Sequence, residues 1–151
     1  IGQTIKMIKD TRKVSETHLD NELLESFELE KMYDKKMRNL SGGTTQKVSA
    51  VLAFMFDPKI IILDEPTAGL DPLASEILKN KIIQEKNKGK LIIITSHLLS
   101  ELDDMVSEIV FINEGKIIIQ QSVEDLMTER KSEKISESIV SILKEMKQNT
   151  H

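Results

Sequence analysis

The sequence predicts an α/β fold of mostly parallel, buried strands with flanking helices, and three observations lead there. Two short continuous apolar runs, Ile60-Ile61-Ile62-Leu63 and Leu91-Ile92-Ile93-Ile94, are rich in β-branched residues and have strand length. Between them, Ile77, Leu78, Ile82 and Ile83 recur at helical spacing. Strand, helix and strand in that order form a crossover unit, whose strands run parallel and are covered on both faces. Both runs also end in polar groups, Asp64-Glu65 after the first and Thr95-Ser96-His97 after the second. In such sheets, ligands bind outside the carboxyl ends of the strands.

From the amino end, residues 1–39 are polar and mostly helical in pattern. Ile5, Ile8 and Met7 suggest a short first helix, and residues 10–21 a charged connection. Asp20 is placed to cap a second helix whose apolar side is Leu23, Leu24, Phe27 and Leu29. The basic run at residues 35–38 reads as a solvated face. Leu40-Ser41-Gly42-Gly43 breaks the pattern, and residues 45–56 follow as a helix apolar on most sides, hence buried. Asp57-Pro58 ends it before the first strand. Asp71 and Pro72 suit the N-cap and first position of the next helix. After the second strand, residues 98–105 read as a short acidic helix. Residues 106–112 and 116–121, either side of Asn113-Glu114-Gly115, read as a hairpin. A short helix at 123–127 and an amphipathic one at 132–147 close the chain. Ile135, Ile139, Ile142, Leu143 and Met146 give the latter its apolar side, which packs back on the domain or meets another chain.

Composition narrows the function. The chain has 151 residues, 39% apolar and 30% charged, as a globular domain does. A net charge of -4 argues against an extensive nucleic-acid surface. There is no cysteine, so no disulfide, thiolate metal site or cysteine nucleophile. The longest apolar run, residues 50–56, is far short of the roughly 20 residues of a membrane span. No stretch resembles a signal peptide. The chain begins at Ile1, which is expected of a piece of something longer.

Four features carry chemistry. At Ser41-Gly42-Gly43, glycines precede a helix, where backbone N–H groups and the positive dipole end favour phosphate; a glycine turn with a serine cap is the simpler alternative. Asp64 can hold a phosphate-bound Mg²⁺ through water, and Glu65 can orient or deprotonate an attacking water. Adjacent strand residues point to opposite sides, so the two acids would take separate roles. Asp71 closes a Gly-Leu-Asp turn. His97 follows the second strand, where it could face the same crevice as Glu65, whereas His18 and His151 read as solvent-exposed.

In this order the motifs resemble those of the ATP-binding cassette (ABC) ATPases. Leu40-Ser41-Gly42-Gly43 with Gln46-Lys47 is similar to their signature, residues 60–65 to the Walker B strand with its catalytic glutamate, Ala68-Gly69-Leu70-Asp71 to the D-loop and His97 to the switch histidine. The resemblance covers about residues 35–127. Thr44 stands where the best-known pattern has Gln, and no G-x-x-x-x-G-K-[ST] P-loop occurs in the sequence. The resemblance therefore implies the C-terminal portion of a P-loop NTPase domain of the ABC type. Residues 1–56 would be helical subdomain with the signature, 57–127 the catalytic core, and 128–151 a C-terminal helix.

The resemblance further implies ATP and Mg²⁺ as ligands and a head-to-tail dimer with a second ABC ATPase subunit. Ser41, Gly42, Gly43 and Gln46 would serve the partner's nucleotide, and Asp71 would link the two sites. Asp64 would support Mg²⁺, Glu65 would be general base and His97 would contact the γ-phosphate. The chain alone is expected to be inactive. The transporter reading, an exporter type, adds a membrane-spanning permease and a cytoplasmic location at the inner face of the membrane, and expects no nucleic acid. Alternatives are a soluble ABC ATPase of chromosome maintenance or DNA repair, an ABC protein acting on ribosomes, and a non-catalytic binding module. The first of these lacks support from sustained heptads in residues 1–39, and the second from its usual Asn-His-Leu-Asp.

Overall fold

A computed structural model describes residues 1–13 and 18–148. The chain divides into two compact units, Ile1–Ser96 and His97–His151.

In the first unit, α1 (Gly2–Arg12) runs past Asp10, where the sequence suggested a connection. It ends when Lys13 turns left-handed and donates its N–H to the Lys9 carbonyl. Ile5 is buried, but Met7 faces solvent. His18 is exposed, as expected, and His151 lies outside the described residues. In α2 (Glu22–Ser26) and the turn after it, Leu23, Leu24, Phe27 and Leu29 are all buried. Asn21 is the N-cap, yet Asp20 does the capping chemistry: its Oδ1 accepts the Glu22 N–H at 3.0 Å. The basic side chains Lys35, Lys36 and Arg38 are exposed.

Helix α3 (Gly42–Phe54) starts three residues before the apolar pattern because Ser41 caps it. Val48, Ala50, Val51 and Phe54 are buried, while Leu52 and Ala53 are half-buried. Strand β1 (Ile60–Asp64) pairs in parallel with β2 (Leu91–Thr95), Ile60 opposite Leu91 and Asp64 opposite Thr95. Between them α4 (Pro72–Asn87) begins with Asp71 as N-cap and Pro72 in its first turn, as the sequence suggested. The parallel α/β architecture holds, but full burial of the strands does not. Ile61 and Leu63 are buried, whereas Ile60 is 58% and Ile62 70% exposed, and Leu91 and Ile93 are exposed beside them. Among the described residues of this unit α3 lies against β1 and α4 against β2, and no element of the unit is packed over Ile60, Ile62, Leu91 and Ile93.

A buried charge network ties α4 to the chain before and after it. Lys81 and Glu85, one helical turn apart, are 2% and 0% exposed. The Lys81 ammonium donates to Asp20, to Glu22 at 2.7 Å and to Gln84 at 3.1 Å, and lies 3.1 Å from Glu85. Glu85 also pairs with Lys88 at 2.7 Å and with Lys90, which in turn pairs with Asp57. Burial opposes the charge on Lys81, but Asp20, Glu22 and Glu85 outweigh it and hold its pKa above the usual range. Burial alone would likewise raise the Glu85 carboxyl; hydrogen bonds from Lys88, Lys90 and Lys81 outweigh it and bring it from 4.5 down to about 2.

In the second unit, β3 (Glu108–Asn113) and β4 (Lys116–Ser122) form the expected antiparallel hairpin. Its turn residues Glu114 and Gly115 both have positive φ, the geometry that matches strand twist. Residues 98–105 do not form the α-helix suggested by the sequence. Only a 3-10 turn, Leu99–Glu101, forms, with Leu102 and Met105 buried beyond it; Leu98 stands at its amino end and has no side-chain oxygen to cap a helix there. Ser122 caps α5 (Val123–Arg130), accepting the Asp125 N–H at 3.0 Å. Helix α6 (Ile135–Gln148) packs Ile135, Ile139 and Ile142 inward and lies against α5, so its apolar face is turned to its own unit. Arg130 binds both Glu145 oxygens, at 2.7 and 2.8 Å, and the Ile135 N–H donates to Asp103 at 2.8 Å.

Candidate functional site

The amino end of α3 is built by its sequence. Ser41 is extended, and its Oγ accepts the Thr44 N–H at 3.2 Å while sharing a 2.8 Å hydrogen bond with the Thr44 hydroxyl. Gly42 and Gly43 form the first turn, where backbone donors have no helical acceptor. A Cβ built on Gly43 would lie 2.5 Å from the Gly69 carbonyl oxygen. The glycine is thus required by the close approach of this turn to the one after β1.

At the end of β1, Asp64 is exposed and accepts the hydroxyl proton of Thr95 from the neighbouring strand. Glu65 leaves the strand with φ 45°, a left-handed conformation that non-glycine residues seldom adopt. Its N–H donates to the Thr95 carbonyl at 3.0 Å, and its own carbonyl accepts the Ala68 N–H at 3.1 Å. The Ser96 hydroxyl donates to its carboxylate at 3.3 Å. Asp64 and Glu65 are therefore separated by a backbone turn as well as by strand alternation.

The turn that follows buries Pro66 and Thr67 and passes through Gly69 at φ 74°. Asp71 then serves two partners: Oδ1 accepts the Ala74 N–H at 2.9 Å, and Oδ2 accepts from Lys47 at 2.8 Å. The hydrogen bond from Lys47, then that from Ala74, lowers the Asp71 pKa. Gln46, next to Lys47 on α3, donates from Nε2 to the Glu65 carbonyl at 3.1 Å and to the Pro66 carbonyl at 3.0 Å. Beside these contacts a cleft of about 250 Å³ is lined by Gln46, Ala53, Ile62, Asp64 and Pro66, among others.

The first unit thus brings together Ser41, Gly42, Gly43, Gln46, Glu65 and Asp71, with Asp64 on the adjoining strand end. His97 is exposed and opens the second unit. Three contributors escaped the sequence reading as site residues: Lys47, Thr95 and Ser96. Thr95 and Ser96 were signalled by their place beside His97 at a strand end; Lys47 was signalled by its place in the signature-like motif, but its ion pair was not, because the partner is 24 residues away. Among the described residues no group of three or more His, Cys, Asp or Glu could cage a metal. One exposed carboxylate fits a Mg²⁺ that takes its other ligands from phosphate and water. Also among the described residues, no helix is long and apolar enough to cross a membrane.

Comparison with known proteins gives a consistent result. The family described as ABC transporter matches residues 3–68. The ABC transporter ATP-binding protein NatA of Bacillus subtilis is 31% identical over 122 residues, 81% of this chain and 50% of that protein. The Nod factor export ATP-binding protein I of Ralstonia nicotianae is 33% identical over 106 residues, 70% of this chain and 33% of that protein. The chain therefore spans a third to a half of the length of these curated relatives. A solved structure described as the ATP-binding subunit of an ABC transporter superposes with a TM-score of 0.83 at 26% identity, covering 94% of this chain and 61% of that one.

Proposed function

The chain belongs to the ABC transporter ATPase family, and from that premise we propose that the complete subunit hydrolyses ATP to drive membrane transport in the export direction. The observation that carries this reading is the meeting, in one unit, of a serine-capped glycine turn with two acids at a parallel strand end. Export is supported by the relative named for Nod factor export. No P-loop sequence occurs in these 151 residues, and this reading assigns the phosphate-binding side of the site to a P-loop of the complete subunit.

In this reading Ser41, Gly42 and Gly43 present hydroxyl and backbone donors to the γ-phosphate of a nucleotide held by a second ATPase subunit. Gln46 belongs to the same nucleotide-serving motif, with its carboxamide on the Glu65 and Pro66 carbonyls, and Asp71 links the contact to the other site. On the chain's own side Asp64 would hold Mg²⁺, and the ion would supply charge neutralisation at the phosphates. Glu65 takes a proton from the attacking water as the new P–O bond forms and the bond to the bridging oxygen breaks, giving ADP and phosphate. His97 contacts the γ-phosphate. A membrane-spanning permease partner places the subunit at the inner face of the membrane. The division into helical subdomain (1–56), catalytic core (57–127) and C-terminal helix (128–151) belongs to the same proposal.

The test is Glu65→Gln in the complete subunit. ATP binding should persist while turnover falls by roughly 10²-fold or more, the usual contribution of a general base. Turnover within a few-fold of the parent would remove Glu65 from this role.

A further inference from the structure

We infer that Gln46 is a positioning residue for Glu65, its carboxamide holding the strained turn that aims the catalytic carboxylate. The inference rests on the reading of Glu65 as general base. Glu65 sits at φ 45°, a conformation that persists only where the surroundings over-determine it. Its N–H is fixed by the Thr95 carbonyl on β2, and its carbonyl takes the Ala68 N–H from within the turn itself, so what ties that carbonyl to α3 is a side chain. That carbonyl accepts from Gln46 Nε2 at 3.1 Å, and the same nitrogen reaches the next carbonyl, Pro66, at 3.0 Å.

The chemistry of these contacts selects glutamine. Both partners are acceptors, so the amide must present its nitrogen to them. A glutamate of the same shape would set a carboxylate against two carbonyl oxygens. The contact is only partly exposed, so losing the donor is not fully made good by water. Gln46 also lies one turn into the helix that Ser41 caps. The helix end assigned to a partner's nucleotide is thereby tied to the general base of the chain's own site.

The experiment compares the complete subunit carrying Gln46→Leu, Gln46→Glu, Glu65→Gln and the Gln46→Leu/Glu65→Gln pair, measuring kcat, KM and the stoichiometry of ATP binding. Gln46→Leu should lower kcat roughly tenfold or more, as small misplacements of catalytic groups do, with KM within about twofold and stoichiometry unchanged. Placed on Glu65→Gln it should lower the residual turnover no further, because it acts through Glu65. Gln46→Glu should lose as much, and it serves as the comparison if Gln46→Leu does not fold. Unchanged kcat, a loss confined to KM, or a loss that adds fully to that of Glu65→Gln overturns the inference and leaves the ATPase reading standing. Turnover retained by Glu65→Gln defeats that reading itself, and this inference with it.

Discussion

Replacing Glu85 with glutamine removes the buried anion at the centre of the α4 network while keeping its shape. In the folded chain the Glu85 carboxyl titrates at about 2, against an ordinary 4.5. The folded pKa is depressed, so the stabilisation is present above the unfolded value and is lost as pH falls from about 4.5 through about 2. That interval corresponds to about 3 kcal/mol at pH 7 and to about half of that at pH 3. Glu85→Gln should therefore cost about 3 kcal/mol at pH 7, with the gap to the parent chain shrinking by half at pH 3. Urea unfolding followed by circular dichroism gives the two free energies. Amide hydrogen exchange at Leu78 and Ile82, buried on the same helix, reports the unit that holds the network. A cost below about 1 kcal/mol at pH 7, or a gap that does not change with pH, refutes the argument, since both would mean that the lysines do not favour the ionised carboxylate in place.

Other outcomes follow from the site. The 151-residue chain alone should neither bind ATP tightly nor hydrolyse it; calorimetric titration with Mg²⁺ and ATP and a phosphate-release assay check this, and turnover at an ordinary enzymatic rate would contradict it. Gly43→Ala should lower the stability of the chain by about 1–3 kcal/mol, the usual range for overpacking, because its methyl group meets backbone at Gly69 rather than a movable side chain. Denaturation at neutral pH measures this, and an unchanged midpoint would show that the two turns separate easily. Lys47→Gln should raise the Asp71 carboxyl toward the ordinary range, read by carboxyl carbon chemical shifts against pH. No movement would mean that the ion pair is not formed in solution.

Local chemistry was legible in the sequence wherever it is local in space. Ser41 and Asp71 were recognisable as caps because a cap acts three residues ahead, and both accept the expected N–H groups. The parallel strands and the hairpin were legible from apolar runs and a turn sequence. What escaped depends on distant partners or on backbone geometry. The left-handed turn at Glu65 has no compositional signal, since glutamate is not a residue that favours it. The ion pair of Lys47 joins residues far apart in sequence, and so does the cluster around Lys81, whose partners Asp20 and Glu22 lie about 60 positions away. Strand burial was misjudged for a related reason: an apolar run states that both faces favour cover, and it does not state that the same chain provides it.

That last point bears on how the 151-residue chain behaves in solution. On the uncovered face, Ile60 stands beside Leu91 and Ile62 beside Ile93, so exposed aliphatic side chains sit in register as two neighbouring pairs. A contiguous apolar surface of this kind attracts other apolar surfaces without selectivity, and the open edges of a two-stranded sheet offer unsatisfied backbone groups as well. In the 151-residue chain these pairs favour self-association, so polar substitution there would improve its solubility while leaving every site residue in place.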